Sequence, residues 1–233
     1  MFVECLRRMI LRCKLNDLRF FFRFYVTCLA GLYFQQSIAE VQQKIYIIGS
    51  STAAGTGASR PEYSWVGLLK PWAIKNRSLM IENRSVPGLL TESVACASQN
   101  SLAKKAIADG ANYLVLSFPS NDATAGVDPE LTIRQLKSVQ QCASLKGIKV
   151  AVMSTLPRSG LSREQMLAID HVDRAMRREF KQCFIDVRQE LSQANGYEPR
   201  ADFSAGDGVH FNDKGHYVIF NLVKNFINKK QCI

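Results

Sequence analysis

A chain of 233 residues, 47% of them hydrophobic, suits one globular domain and leaves little room for a second. Its formal charge of +10 is spread along the chain without a run of Lys and Arg interleaved with aromatic residues, which argues against a nucleic-acid-binding protein. The cysteines form no C-x-x-C pair and none lies beside a histidine, so a zinc site is not expected.

Residues 1–39 are predicted to be an export signal. A basic segment precedes the apolar run FYVTCLAGLYF and then QQSIAE, in which Ser37 and Ala39 are small residues of the kind that a signal peptidase requires. Cleavage near Ala39 predicts a periplasmic or secreted domain over residues 40–233, with a formal charge of +6. The alternative is an uncleaved N-terminal anchor, although the apolar run is shorter than the roughly 20 residues of a spanning helix. Only in that case do we expect contact with a membrane.

After the signal, short apolar runs alternate with longer amphipathic runs. Five runs rich in Ile, Val, Leu and Tyr are predicted strands, at residues 44–50, 79–86, 113–120, 149–157 and 183–188. Five amphipathic runs are predicted helices, at residues 64–76, 92–110, 129–147, 162–180 and 215–230. This alternation predicts a three-layer α/β/α sandwich with a five-stranded parallel sheet. In such sheets the functional site forms at the carboxyl ends of the strands.

Four cysteines follow the predicted signal, an even number in a chain that we expect to enter an oxidising compartment. They are Cys96, Cys142, Cys183 and Cys232. Four cysteines allow three pairings, among which the sequence does not choose, and buried free thiols are an equal alternative.

The loop after the first predicted strand, GSSTAAGTG at residues 49–57, is a candidate for phosphate binding or for nucleophilic catalysis. It lacks the lysine of a G-x-x-x-x-G-K-[ST] loop and does not fit G-x-G-x-x-G, so a nucleotide site is disfavoured. In the other interpretation Ser50 or Ser51 is a nucleophile at the sheet edge, with a backbone N–H beside it to stabilise an oxyanion. Taken alone, a serine at such a turn is more often a helix cap.

The loops after the second and third predicted strands each hold a possible hydrogen-bond donor to a substrate. Gly88, in NRSVPGLLTES, follows a proline as turn glycines do, and its N–H can approach a substrate because no Cβ intervenes. Asn121, in FPSNDA, has side-chain N–H donors suited to an oxyanion, although an Asn-Asp pair at a strand end is commonly turn chemistry.

Further candidates lie near the carboxyl ends of the later strands. Asp207 and His210 are three residues apart, so one loop can supply an imidazole base and the carboxylate that holds its tautomer. Arg158, in TLPRSG, can bind anionic or hydroxyl groups of a substrate. The other two histidines are predicted to be structural, His171 on a helix surface and His216 packed at the start of the last helix.

Together these blocks resemble the SGNH (GDSL-like) hydrolase family, whose four blocks carry serine, glycine, asparagine and histidine in that order. The resemblance extends from about Ile45 to Tyr217, and its most specific part is DGVHFNDKGH, which is similar to the family's D-x-x-H block followed by Asn, Gly and His. It implies a flavodoxin-like domain with these roles: Ser51 as nucleophile, His210 as base, Asp207 as the acid that orients it, and the Ser51 N–H, the Gly88 N–H and the Asn121 side chain as oxyanion donors.

Two positions depart from the family's blocks. G-D-S reads GSS here, so Ser50 replaces the aspartate, and G-x-N-D reads PSND, so Pro119 replaces the glycine. Neither change removes a group that the mechanism uses directly. The departures indicate a divergent subfamily of secreted bacterial members.

The resemblance implies a serine ester hydrolase that needs no metal and no cofactor and acts on a small-molecule or glycan ester. Export favours a carbohydrate O-acetylesterase that forms an acyl-enzyme on Ser51 with His210 as base. A lysophospholipase-like or thioesterase-like acyl hydrolase is the main alternative. Outside the enzymes, the alternative is a catalytically degenerate glycan-binding module.

Overall fold

The computed structural model describes residues 43–118, 120–230 and 232–233. The predicted signal, its cleavage site and Pro119 lie outside the described residues. None of the described helices is long and apolar enough to cross a membrane.

Five short strands form one sheet in which every neighbouring pair is parallel. Branched and aromatic residues dominate these strands, as is typical of strands buried on both faces. The order across the sheet is β2-β1-β3-β4-β5. The strands are β1 Gln43–Gly49, β2 Leu79–Asn83, β3 Tyr113–Ser117, β4 Lys149–Met153 and β5 Phe184–Ile185.

Eight α-helices lie within the part of the chain that the structure describes. Three 3₁₀ turns accompany them, at Pro61–Tyr63, Thr91–Ser93 and Lys181–Cys183. The helices are α1 Ser51–Ala54, α2 Trp65–Arg77, α3 Leu102–Ala108, α4 Asn121–Thr124, α5 Pro129–Ser144, α6 Arg163–Phe180, α7 Arg188–Leu191 and α8 Asp213–Asn228.

The helices cover both faces of the sheet and produce two apolar cores. Side chains of a strand point alternately to opposite faces, and in β1 Ile45 and Ile47 pack with buried residues of α2 and α8. Tyr46 and Ile48, on the opposite face, pack with buried residues of α3, α5 and α6. The predicted three-layer α/β/α sandwich with a five-stranded parallel sheet is confirmed.

Four predicted strands are too long at their carboxyl ends, since the segments 79–86, 113–120, 149–157 and 183–188 end as strands at Asn83, Ser117, Met153 and Ile185. The segment 79–86 ends as a strand at Asn83, whose side-chain oxygen accepts from the Ser85 N–H at 3.1 Å and turns the chain. The segment 183–188 ends as a strand at Ile185, because the Ser154 hydroxyl accepts from the backbone N–H groups of residues 187 and 188 at 3.0 and 3.1 Å. In both cases a loop begins where the strand was predicted to continue.

The predicted helix over residues 92–110 is wrong in its first half. Only α3 is an α-helix there, because Ser101 caps it by accepting from the Lys104 N–H at 3.2 Å. The Ser101 hydroxyl also donates to the Val94 carbonyl at 2.8 Å, and the Cys96 N–H donates to the Ser138 hydroxyl at 3.0 Å. These contacts hold the segment before α3 against α5 instead of letting it continue as a helix.

The four described cysteines form two disulfides, Cys96–Cys142 and Cys183–Cys232. The first ties the loop before α3 to α5, and the second ties Cys232, which follows α8, to the 3₁₀ turn before β5. The bridged residues are 46 and 49 positions apart. In the chain-entropy model a loop of this length stabilises the fold by about 4 kcal/mol.

Candidate active site

The first loop places Ser51 at the carboxyl edge of the sheet, the side on which the carboxyl ends of the parallel strands lie. β1 ends at Gly49, Ser50 has an extended backbone with φ −103° and ψ −150°, and Ser51 begins α1. A Cβ on Gly49 would lie 2.3 Å from the Ser117 carbonyl oxygen, so the close approach of β1 and β3 requires glycine. The Ser50 N–H donates to the same oxygen at 3.2 Å, which holds the turn against β3.

Ser51, His210 and Asp207 form one continuous hydrogen-bonded chain. His210 Nε2 lies 2.9 Å from Ser51 Oγ, and His210 Nδ1 lies 2.6 Å from a carboxylate oxygen of Asp207. An ionised carboxylate can only accept, so Nδ1–H donates to Asp207 and Nε2 is left to accept from the Ser51 hydroxyl. The fold thus brings together two side chains, Ser51 and His210, that are 159 positions apart.

The Asp207 carboxylate is held in its ionised form. One oxygen accepts from the backbone N–H groups of His210 and Val209 at 2.8 and 2.9 Å, and the other faces the His210 ring. The backbone N–H of His210, with smaller contributions from the ring and from Val209, lowers the pKa of Asp207 from 3.8 to about 2. Asp207 is therefore ionised throughout the pH range in which imidazoles titrate.

The loop that carries Asp207 and His210 is anchored where α8 begins. An isolated antiparallel bridge pairs Ser204 with Phe211 across the loop. Phe211 has no exposed surface, and Asn212 caps α8 by accepting from two backbone N–H groups at 3.0 and 3.1 Å. His210 is held directly beside a buried aromatic ring and a helix start.

Gly88 and Asn121 lie on the neighbouring loops of the same edge. Gly88 has φ +80°, and a Cβ there would meet no atom within 4 Å, so this turn faces open space. Asn121 begins α4, and its Nδ2 donates to the Leu89 carbonyl at 3.2 Å, which leaves the second hydrogen of Nδ2 for another acceptor. No hydrogen bond between described residues joins Gly88 or Asn121 to Ser51.

Two backbone donors at this edge have no protein acceptor within the described ranges. The Ser51 N–H belongs to the first turn of α1, where no intrahelical acceptor exists, and the Gly88 N–H belongs to an open turn. Ser51 is half-buried and Gly88 is exposed, so a ligand can reach both N–H groups. Donors left free beside a hydroxyl–imidazole pair can bind a negatively charged oxygen.

Asp122 joins the Gly88 loop to α4, a role that the sequence patterns did not reveal. It is 3% exposed and accepts from Thr91 twice, from the hydroxyl at 2.5 Å and from the backbone N–H at 3.2 Å. Burial raises the pKa of Asp122, although the Thr91 hydrogen bonds oppose that shift. Because Asn121 is the adjacent residue, this contact fixes its position relative to Gly88. In the sequence, Asp122 stands out only as the last residue of the PSND block.

Arg158, the remaining sequence-predicted residue, reaches the same edge from the loop after β4. It is half-buried, and its Nη1 lies 3.5 Å from both Asn121 Oδ1 and Thr124 Oγ1. Within the described residues, no group of three or more His, Cys, Asp or Glu is arranged to hold a metal ion. The expectation of a metal-free reaction stays a prediction.

The GDSL-like Lipase/Acylhydrolase family matches residues 47–218, a span that includes Ser51, Gly88, Asn121 and His210. The chain belongs to this family. It is a serine ester hydrolase, as the blocks quoted from its sequence predict.

Solved structures of other hydrolases have the same fold as this GDSL-like hydrolase. The lipase/acylhydrolase from Enterococcus faecalis has a TM-score of 0.63 at 17% identity, covering 81% of this chain and 97% of its own. The psychrotrophic esterase EstA from Pseudoalteromonas sp. has 0.60 at 16% identity, covering 81% and 98%. An acetyl xylan esterase has 0.60 at 19% identity, covering 78% and 98%. No curated protein matched the chain.

This GDSL-like hydrolase has a buried, unpaired hydroxyl where the G-D-S block has its aspartate. Ser50 is 1% exposed, and its Oγ has no hydrogen-bond partner among the described residues. The side chain of Ser51, the next residue, is by contrast hydrogen-bonded to His210. Of the two adjacent serines, only Ser51 thus has its hydroxyl in contact with a base, as nucleophilic catalysis requires.

The other two histidines of the hydrolase are structural, as predicted. His171 lies on the exposed surface of α6, where its Nε2 is 2.6 Å from a Glu130 oxygen. His216 has no exposed surface; its Nδ1 accepts from the Trp65 N–H at 3.3 Å, and its Nε2 lies 3.1 Å from the Thr56 carbonyl. Burial lowers the pKa of His216, because the charged form would lose its solvation.

A second network, also not revealed by the sequence, supports the loops of this edge in the hydrolase. Arg188 pairs with Asp170 at 2.9 Å and with the half-buried Asp173 at 3.2 Å, and its guanidinium stacks 4.8 Å from the centre of the Tyr197 ring. The Tyr197 carbonyl in turn accepts from the Arg158 N–H at 2.6 Å. These residues come from α6, α7 and two loops, so no local motif could have indicated them.

Proposed function

We propose that Ser51 is the nucleophile of a two-step ester hydrolysis. Its Oγ attacks the ester carbonyl while His210 Nε2 takes the hydroxyl proton, and Asp207 stabilises the imidazolium that results. The imidazolium gives this proton to the departing alcohol as the C–O bond breaks, which leaves an acyl group on Ser51. Water then attacks the acyl-enzyme with the same base, and the acid is released. The 2.9 Å contact between Ser51 Oγ and His210 Nε2 carries this proposal.

We assign oxyanion stabilisation to the Ser51 N–H, the Gly88 N–H and the free hydrogen of Asn121 Nδ2. The two backbone groups donate to no acceptor among the described residues, and Asn121 is oriented through Leu89. Donors that are already aimed at the developing charge need no reorganisation in the transition state, so each is worth on the order of 10²–10³ in rate.

For the substrate we propose a carbohydrate O-acetyl ester. The exposed Gly88 turn suits a bulky alcohol such as a glycan, and an acetyl xylan esterase is among the structures with this fold. A long-chain acyl hydrolase would need an extended apolar surface beside Ser51. The chain-length series below distinguishes the two.

Export of residues 40–233 belongs to the same proposal. Two disulfides in the described part of the chain support it, because disulfides persist in oxidising compartments. Intact-mass measurement on protein recovered from expressing cells tests it, and a chain that begins near residue 40 is the expected result. A mature chain that keeps residues 1–39 would support the anchored alternative.

The test of the reaction is hydrolysis of p-nitrophenyl acetate, butyrate and octanoate, compared with acetylated xylan, by the wild type and by Ser51→Ala. We expect the variant to lose on the order of 10⁴–10⁶ in kcat, as in other serine hydrolases without their nucleophile. Ser50→Ala is the matched control, since it removes the neighbouring hydroxyl, and should keep its rate within about threefold. Labelling by a fluorophosphonate, located by peptide mass spectrometry, should fall on Ser51 alone.

Full activity in Ser51→Ala would remove the nucleophile assignment, and loss of activity in Ser50→Ala alone would transfer it to Ser50. Preference for octanoate over acetate would replace the acetylesterase proposal with a lipase-like one. Ligand binding without turnover of any ester would support a glycan-binding module.

A further inference from the structure

The backbone of Arg158 is fixed beside the loop that carries Asp207 and His210. The Arg158 N–H donates to the Tyr197 carbonyl at 2.6 Å, and the N–H of Ser159 donates to the Gly208 carbonyl at 2.7 Å. Gly208 directly follows Asp207, so this short segment is tied to the loop that holds the proposed base. The side chain therefore starts from a well-defined point at the carboxyl edge.

Within the described ranges, the guanidinium of Arg158 contacts only neutral groups. Its Nη1 lies 3.5 Å from Asn121 Oδ1 and from Thr124 Oγ1, at the long limit for a hydrogen bond. Among the residues that the structure describes, no carboxylate oxygen lies within 4.0 Å of its nitrogens. The carboxylates of the adjoining loops are engaged elsewhere, Asp122 with Thr91 and Asp207 with His210.

Arg188 is a mostly buried arginine with a structural role, and its partners differ from those of Arg158. Its side chain is 13% exposed and is paired with two carboxylates, those of Asp170 and Asp173. A half-buried positive charge without such a partner is costly, because the charge loses water and gains no counter-charge. Arg158 is such a charge, and it lies against Asn121, one of the proposed oxyanion donors.

We propose that Arg158 binds an anionic group of the substrate, a carboxylate or a phosphate, beside the scissile ester. A guanidinium suits this task because its planar set of N–H donors matches two oxygens of such a group at once. The inference rests on the proposed function and narrows its substrate to charged esters. An anion on the alcohol keeps the proposed acetyl ester, whereas an anion on the acyl group would replace acetyl with a charged acyl group; the substrates of the test distinguish these sources.

The test uses matched ester pairs that differ only in charge. On the acyl side the pair is 4-nitrophenyl hydrogen adipate and its methyl ester; on the alcohol side it is O-acetyl galacturonic acid and its methyl ester. We expect the wild type to prefer the charged member of one pair by about 10- to 100-fold in kcat/KM, the effect of one hydrogen bond to a charged group. Arg158→Gln should bring that ratio close to one, and Arg158→Lys should keep part of it as a point charge.

Arg163→Gln is the matched control, because it removes the same charge from an exposed position at the start of α6. It should leave the ratio of kcat/KM for the charged and the neutral ester unchanged. That result would distinguish direct binding by the Arg158 guanidinium from long-range attraction by the overall positive charge. A second measurement needs no variant. Free adipate or free galacturonate should inhibit wild-type hydrolysis of p-nitrophenyl acetate, whereas the corresponding methyl ester should not.

A wild-type ratio near one for both pairs, or a ratio that Arg158→Gln leaves unchanged, would overturn this inference while the esterase itself stands. Equal inhibition by the charged and the methylated compounds would overturn it as well. Absence of hydrolysis of every ester would overturn the proposed function and this inference together.

Discussion

The two ends of the parallel sheet contrast in shape and in chemistry. At the amino edge, where the strands begin, an open cleft of about 760 Å³ is lined by residues that include Asn112, Lys104, Lys146 and Lys149. At the carboxyl edge, hydroxyl, imidazole and carboxylate are joined by hydrogen bonds of 2.9 and 2.6 Å. Among the described residues, the lining of the amino-edge cleft holds no serine, histidine or carboxylate, whereas the carboxyl edge joins all three.

Loop length explains this difference. At the amino edge the connections are short, such as residues 109–112 before β3 and 145–148 before β4. At the carboxyl edge the chain has room to bring side chains together, as in residues 84–101 after β2 and 192–212 before α8. Parallel strands joined by helices thus offer one edge for function, and long loops accumulate there.

After Ser51→Ala, the largest effect that we expect at the carboxyl edge comes from His210→Gln. Without the imidazole, nothing takes the Ser51 proton, so kcat for p-nitrophenyl acetate should fall by about 10²–10⁴. Asp207, whose pKa is about 2, should stay ionised and add no transition to the activity profile above about pH 5. Full activity in His210→Gln would contradict the assignment of His210 as base.

A pair of asparagines tests the contrast between the edges directly. Asn121→Ala should lower kcat by about 10²–10³, because it removes an oxyanion donor. Asn112→Ala makes the same change at the amino edge, where the Asn112 side chain accepts from the Lys44 N–H at 2.8 Å. We expect Asn112→Ala to keep its kcat within about twofold. Equal losses in the two variants would mean that general stability, not site chemistry, is being measured.

His216→Gln should affect stability far more than activity. The buried neutral imidazole bonds to Trp65 and Thr56, so its loss should cost about 1–3 kcal/mol in urea unfolding. The folded-state pKa of His216 lies below its ordinary 6.5, so the unfolded chain binds the extra proton first. The wild type should therefore lose stability as pH falls below about 6.5, and the variant should lose less. Identical pH dependence in both proteins would refute this account of His216.

The smallest effect should come from the lysines of the amino-edge cleft. The triple change Lys104→Glu, Lys146→Glu and Lys149→Glu reverses the charge of that cleft, which lies at the opposite ends of the strands from Ser51. At about 0.15 M salt the Debye length is about 8 Å, so kcat/KM for a neutral ester should change less than twofold. A larger change would show that the two edges are coupled.

The fold could be predicted from the sequence because the patterns that indicate its strands lie within short segments. Buried parallel strands are short apolar runs, and each predicted strand overlaps an observed one. The failure over residues 92–110 came from tertiary contacts: the Cys96–Cys142 disulfide and the Ser138 hydroxyl hold that segment away from helical geometry. Helical periodicity carries no information about such partners.

The candidate site was readable only in part. The Asp207–His210 pair is visible as a local spacing, but its contact with Ser51 joins positions 159 apart and is predicted only by the family resemblance. The Arg188 network and the pairing of the cysteines depend on contacts between distant segments. For the cysteines, three pairings were equally compatible with the sequence.

The Cys183–Cys232 bridge closes a covalent ring around Asp207 and His210. A protease that cuts once inside this ring, for example after the exposed Arg200, releases no fragment, because both pieces stay joined through sulfur. Nicked and intact protein would migrate together on a non-reducing gel and separate only after a thiol reductant is added. In an environment rich in proteases, a single cut would thus leave the acid and the base attached to the rest of the enzyme.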